Sequence, residues 1–421
     1  MSHTETHSRI TAAQILDLLA DLQALEKLYR REPQQFKAAL AEAREQRPDA
    51  IVLKVWEARF SDTGITKSVP KRLFQTLALA LATGVAVRVP AIWLGEDWYY
   101  PRFGPMLVMI SLVAYFWLQS GSRFAITLAA FLGIGSVAWV SFLPGYTDSV
   151  VMAIVHLPLL WWAALGLAFA GSGWRGLKER IDFIRYNGEL LILGTLVAIS
   201  GLVFSGITGA LFDMTMDGAG EWGEWYMENL GLMGAASVPV MATFLYDTVF
   251  RRHTGIPPVL AQVFTPLFLV MLIAYLVTAL ISGQNAFVDR EFLVIVNGLL
   301  LVVLGMTVLS IAERGASESV LWTDRTNMTL LAVTLLVDLM ALSAILFRLT
   351  MMGLTPNRVV VLGANLVILA HLVTIFRTQV KFVRGAVGST AIMQAATRYL
   401  PVYAAWAAFV CFILPIVFGF A

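Results

Sequence analysis

Apolar residues dominate eleven stretches of the chain: 73–94, 103–119, 123–143, 149–170, 188–212, 227–249, 260–282, 292–312, 328–349, 358–377 and 399–420. A helix rises about 1.5 Å per residue, so about 20 apolar residues cross the hydrocarbon core of a bilayer. The pattern therefore predicts eleven transmembrane helices. The breaks between them carry charges or turn formers: Gly95-Glu96-Asp97, Gly121-Ser122-Arg123, Pro144-Gly145, Gly171-Ser172-Gly173, Pro257-Pro258 and Gly353 through Asn357.

Residues 1–70 follow another pattern. Ile15, Leu18, Leu22, Leu25 and Leu28 recur at spacings of three and four among charged residues, which predicts an amphipathic helix over 11–31 with Thr11 as its N-cap. Pro33 ends that helix or starts the next. A second helix is expected over 34–46, with Phe36, Leu40 and Ala43 on one face, and a third over 49–60, with Ile51, Val55, Trp56 and Phe60. So small a region is expected to pack on itself, on the membrane surface, on a second copy or on a cytoplasmic partner through 11–31. Charges within the first 30 residues, among them Asp17, Asp21, Glu26 and Lys27, leave no apolar core for a signal peptide. The expected organisation is a cytoplasmic helical region, 1–70, and a transmembrane domain, 71–421.

Composition agrees. Of 421 residues, 58% are hydrophobic and 14% charged, against about 25% charged in soluble domains. Mean hydropathy is +0.75. The net charge of +2 and the absence of a basic tract give nucleic-acid binding no support. The single cysteine, Cys411, lies in an apolar run and reads as an apolar residue. No cofactor and no metal ligand set is expected.

Charge orients the spans. With the N-terminus in the cytoplasm, the inside loops hold thirteen cations: Arg123, Arg175, Lys178, Arg180, Arg185, Arg251, Arg252, Arg314, Arg325, Arg377, Lys381, Arg384 and Arg398. The outside loops hold four: Arg102, Arg290, Arg348 and Arg358. The positive-inside rule then puts the C-terminus outside. The acidic 213–228 segment and the aromatics Trp98, Tyr99, Tyr100, Trp222, Trp225 and Tyr226 fit the outer interface.

Polar groups inside a membrane are costly, so each is a candidate for function. Asp338 falls near mid-bilayer in the ninth span. His371, in the tenth, reaches nearly the same depth in an antiparallel hairpin, where the two could share a proton or hold a cation; a structural hydrogen bond is the plainer reading. Arg88, His156, Asn297, Arg348, Arg358 and Asn365 fall in the outer half. Snorkelling explains Arg88, and hydrogen bonding within the bundle explains His156, Asn297 and Asn365. Together with Asp338 and His371 they suggest a cavity open to the outside, with a cationic rim and a titratable floor, suited to a small anionic or lipid ligand. Gly201, Ser205 and Gly209 form a stripe that lets another helix approach closely, and Gly231, Gly234 and Ala235 read the same way.

No P-loop, HExxH, CxxCH, GxSxG or Rossmann glycine pattern is present. In Gly353-Leu354-Thr355-Pro356-Asn357-Arg358, Gly353 suits a helix end, Thr355 a cap and Pro356 a first turn. Arg358 opposes the helix dipole there and calls for a partner, Asp289, Glu291 or a ligand. This stretch resembles a motif of an uncharacterised family of bacterial multi-pass membrane proteins, a domain of unknown function. The preceding apolar region, with Tyr275, Asp289 and Asn297, is similar too, so the resemblance spans roughly 190–420. It implies a bacterial cytoplasmic (inner) membrane location and no established activity, hence no catalytic residues.

The sequence thus predicts an all-α integral membrane protein: a polytopic bundle of about eleven transmembrane helices with a small N-terminal cytoplasmic helical region. The leading functional expectation is a transporter or lipid-handling protein, proton-linked through Asp338 and His371. The alternatives are a non-catalytic membrane subunit or scaffold docking a cytoplasmic partner, and an intramembrane enzyme of unrecognised type.

Overall fold

A computed structural model describes residues 10–61, 64–120, 123–213, 219–250, 256–282, 290–315 and 317–421. All the regular structure among them is helical. Contacts divide the chain into two units, Met1–Gln75 and Thr76–Ala421.

The first unit contains α1 (Ala12–Asp17), α2 (Leu22–Arg31), α3 (Pro33–Gln46) and α4 (Ile51–Ser61). Thr11 caps α1 as expected, in a capping box with Gln14. The single helix expected over 11–31 is broken at 18–21, because the Asp21 carboxylate accepts from the Gln23 and Ala24 amides and starts α2 afresh. Pro33 occupies the first turn of α3, where its missing N–H costs nothing. Ile15, Leu25, Phe36, Ala43 and Leu53 are fully buried, and the Phe36 ring packs tilted against Trp56 at 4.9 Å. This region therefore packs on itself. In α4 the buried face is Leu53 and Trp56, whereas Ile51 and Val55, expected inward, are exposed.

The long helices are α5 (Gly64–Leu94), α6 (Glu96–Ser120), α7 (Arg123–Phe142), α8 (Asp148–Ala170), α9 (Leu177–Asp213), α10 (Ala219–Tyr226) continuing through a π turn into α11 (Leu232–Phe244), α12 (Ile256–Ser282), α13 (Arg290–Glu313), α14 (Trp322–Met352) and α15 (Pro356–Val383). Then come α16 (Ser389–Thr397), α17 (Leu400–Ala408) and α18 (Leu414–Val417). Among the described residues ten helical stretches are long and apolar enough to cross a membrane, and Ala130–Phe142 of α7 is a shorter apolar one. Several helices run past the apolar windows. α9 begins at Leu177 rather than 188 and carries Lys178, Arg180 and Arg185 in its added turns, since a helix continues beyond the hydrocarbon where charges are tolerated. The segment 389–397, expected as loop, is α16.

The connections sort onto two faces. On one, Tyr146 donates to the Asp97 carbonyl at 2.6 Å, Thr147 to the Phe420 carbonyl at 2.7 Å, and Asn357 to Asp148 at 2.9 Å. The C-terminal residues lie on this face, here called the C-terminal face. On the opposite face Arg185 reaches the Ala312 carbonyl and Gln379 the Asp324 carbonyl, each at 3.0 Å.

Two apolar cores hold the bundle. One centres on Met106, Phe116, Trp161 and Tyr186, the other on Leu300, Leu331, Ala341 and Leu372. Large apolar side chains elsewhere point outward, Phe204 and Leu191 among them, as lipid contact requires. Hydroxyls within helices bond back to their own backbone, as Thr334 does to the Leu330 carbonyl. Cys411 is buried against α8, its thiol 3.5 Å from the Ala153 carbonyl. The expected close approach along Gly201 and Gly209 is not made, for nothing lies where their Cβ atoms would be. Close approach occurs instead at Gly84 against Met233 and at Gly363 against the Trp406 ring.

Candidate functional site

The stretch around Gly353 folds as its residues suggest. Gly353 ends α14 at φ +78°, Thr355 caps α15 by accepting from the Arg358 amide, and Pro356 takes the first turn. Arg358 turns back and donates to the Gly353 carbonyl at 2.7 Å, which places its cation against an exposed dipole end of α14. The partners expected for it, Asp289 and the Glu291 side chain, lie outside the described residues. Arg348 is half-buried near the same end of α14.

Arg88 lies elsewhere, in a clamp between α5, α6 and the π turn before α11. It donates to Glu96 at 2.6 Å, to the Tyr100 hydroxyl at 3.0 Å and to Asn229 at 3.0 Å. His156 faces the Met152 carbonyl of its own helix at 2.9 Å. Asn365 donates to Asn297 at 3.0 Å, joining α15 to α13. His156, Asn297 and Asn365 thus have the hydrogen bonds of the plainer reading, whereas Arg88, expected to snorkel, is buried and held by Glu96, Tyr100 and Asn229.

Asp338 and His371 do not form a pair. Both ring nitrogens of His371 are engaged, Nδ1 with the Tyr403 hydroxyl at 2.9 Å and Nε2 with the Ala395 carbonyl at 3.2 Å. Its ring stacks on Tyr399 at 4.5 Å, nearly parallel. Asp338 is fully buried, and neither of its oxygens has a hydrogen-bond partner among the described residues.

Three neighbouring cavities run from the face opposite the C-terminus towards the middle of the bundle. One of about 680 Å³ lies between the start of α9, the end of α15 and α16. Its cations are Arg175, Arg180, Lys381 and Arg398, its polar groups include Thr374, Thr378, Gln394 and Thr397, and among the described residues no carboxylate lines it. Arg180 is fixed by donating to the Trp174 carbonyl at 3.2 Å, and the Arg175 guanidinium lies over the Trp174 ring at 4.6 Å. Arg180 also lines a neighbouring cavity of about 220 Å³, walled by Trp162, Leu167, Phe183 and Leu400, with Glu179 next to Arg180 in its wall. Trp162 and Leu400 are shared in turn with a third of about 460 Å³, almost wholly apolar, which carries His371 and Tyr403 in its wall. Thr374 joins the polar end to this histidine group through Tyr399, hydroxyl to hydroxyl at 3.3 Å.

This arrangement differs from the expected one. None of these three cavities is lined by Arg88, Arg348, Arg358 or Asp338, and of the expected group only His371 lines one. The physical reason is that the arginines belong to separate clusters, Arg88 to the α5–α6 clamp and Arg348 and Arg358 to the ends of α14 and α15. The cations that do converge were legible only as loop charges. They meet because α9 and α15 extend past their apolar windows and α16 folds between them. In comparisons with known proteins, the chain matches no family model, no curated protein and no solved structure.

Proposed function

We propose that this multi-pass membrane protein is a lipid-handling protein that takes an anionic amphiphile at the face opposite its C-terminus. The observation that carries this reading is the cationic cavity, lined by no carboxylate among the described residues, which shares Arg180 with a largely apolar neighbour whose wall also holds Glu179. A phosphate-bearing headgroup suits Arg175, Arg180, Lys381 and Arg398, and hydrocarbon chains suit the walls of Trp162, Phe183 and Leu400. Lys381 and Arg398 are exposed, and each basic residue near an anionic leaflet contributes about 1 kcal/mol of attraction. The excess of Lys and Arg assigns this face to the cytoplasm, with the N-terminus inside and the C-terminus outside a bacterial-type inner membrane. Transport would be a further property of the same site.

The test is native mass spectrometry of the full chain in nanodiscs containing phosphatidylglycerol and phosphatidylcholine. The expected result is retained phosphatidylglycerol, lost on replacing Lys381→Gln and Arg398→Gln together and kept in Arg88→Gln. Equal retention of both lipids in all three proteins would defeat the reading. A second reading, a membrane subunit that docks a cytoplasmic protein, draws on the exposed apolar residues Leu22, Ile51 and Val55 of the N-terminal unit. It predicts a stoichiometric protein partner that disappears when residues 1–70 are deleted.

A further inference from the structure

Asp338 is the one ionisable side chain in the middle of α14, about 24 Å along the helix from Trp322 and about 21 Å from Met352. It is 0% exposed and its carboxylate oxygens are unpartnered among the described residues. Two hydrogen bonds set the level of its neighbours. Gln379 donates to the Asp324 carbonyl, which ties α15 antiparallel to α14. Fourteen residues along each helix from that bond, Asp338 stands level with Asn365. Asn327 donates to Ser310 at 2.7 Å, which ties α13 to α14. Eleven residues along each from there, Asp338 stands level with position 299, two residues from Asn297. Asn365 and Asn297 are the pair already joined at 3.0 Å. Three packed helices thus bring one acid and two carboxamides to one depth.

The charges around it do not balance an anion. α12 offers no charged residue and, as its titratable group, Tyr275. The charges of α13, Arg290, Glu291 and Glu313, stand at its two ends. α15 contributes Arg358, Arg377 and Lys381 towards its ends and His371, whose nitrogens are both taken. On α14 itself Asp324 and Arg325 lie at one end, and Arg348 lies about 15 Å further along the helix. An isolated carboxylate in such a place costs several kcal/mol, and protonation lowers that cost to the smaller one of burying a neutral polar group.

We propose that Asp338 is a proton-binding site at the middle of the membrane, held as the neutral acid at neutral pH, with the Asn297–Asn365 pair as the polar groups at its depth. The ligand is a proton, and the site is separate from the lipid cavity, so the two stand or fall independently. A neutral acid here lets α13, α14 and α15 pack as an apolar layer; loss of the proton would make that packing costly, which couples proton occupancy to the arrangement of the three helices.

The test uses the full chain in nanodiscs and dicyclohexylcarbodiimide, an apolar reagent that reacts with neutral carboxylic acids, followed by peptide mass spectrometry. The expected result at pH 7 is modification of Asp338 at least tenfold above that of Asp324, which is ion-paired, and none at Asp338 with a water-soluble carbodiimide. In the infrared spectrum the carbonyl band of a neutral carboxylic acid is expected, absent in Asp338→Asn. Failure of the apolar reagent to modify Asp338, or absence of that band in the unmodified protein, would overturn the proposal. Suppression of the modification by sodium at fixed pH would also overturn it, in favour of a metal cation. The labelling arm needs no variant, so it holds even where Asp338→Asn fails to fold.

Discussion

Arg314, just beyond the end of α13, grips Asp324 in the first turn of α14 through two bonds, Nε to one carboxylate oxygen at 3.0 Å and a terminal nitrogen to the other at 3.1 Å. Both side chains are almost wholly buried, 2% and 3% exposed. The same guanidinium donates to the Ser317 and Ser319 carbonyls and lies over the Phe382 ring, and Asp324 accepts from the Leu321 amide. One ion pair thus closes the turn between two spans and anchors it to α15. Asp324→Asn leaves a buried cation without its anion and is expected to cost about 3–5 kcal/mol. Thermal unfolding in detergent reads this directly. A double variant with Arg314→Met should recover part of the loss, and an unchanged midpoint in Asp324→Asn would mean that the pair holds nothing.

Glu318 binds α16 to the same turn. Its carboxylate accepts from the Ser389 amide at 2.9 Å and from the Ser389 hydroxyl at 2.7 Å. These bonds favour the charged form and hold its pKa below the ordinary value of 4.5. A depressed pKa means that the clasp is fully present above 4.5 and is lost as pH falls through the lower folded value. The protection of the Ser389 amide against hydrogen exchange, taken relative to its intrinsic rate at each pH, should therefore fall in acid below that range. Glu318→Gln should show the faster exchange already at neutral pH and no further acid step. A variant with the same acid step as the unaltered protein would assign that step elsewhere.

Glycine substitutions separate real close approaches from apparent ones. A Cβ on Gly84 would sit 2.9 Å from the Met233 carbonyl oxygen, a backbone atom that cannot swing away. Gly84→Ala is expected to destabilise by about 1–3 kcal/mol. Gly201 has nothing within 4 Å of its Cβ position, so Gly201→Ala should be neutral or stabilise α9 by about 0.5–1 kcal/mol through helix propensity. A comparison of unfolding midpoints decides it. A large loss in Gly201→Ala would point to a second chain against that stripe.

In the N-terminal unit, Asp21→Ala removes the acceptor for two amides and is expected to cost about 1 kcal/mol. Exchange at Gln23 and Ala24 should rise first, before the buried core around Phe36 opens. If the two amides keep their protection, α1 and α2 are held by packing and not by the cap.

The sequence alone determined the membrane class and where the apolar cores of the spans lie, though not the helix ends, because about 20 apolar residues in a row have few other stable environments. It also determined the turn at Gly353-Leu354-Thr355-Pro356, whose chemistry is local. It misjudged the helix expected over 11–31, since the periodicity passes unbroken through Asp21 while the cap does not. What only the tertiary structure decided is which polar groups meet. Depth along a span can be read from residue numbers, but rotation about the helix axis and the choice of neighbouring helix cannot. So His371 went to Tyr403 and Tyr399 rather than to Asp338, Arg88 went to Glu96 and Asn229, and Arg180 and Arg398, far apart in the chain, came to line one cavity. Those pairings depend on long-range packing of two apolar cores, and a pattern of single-helix periodicity carries no record of it.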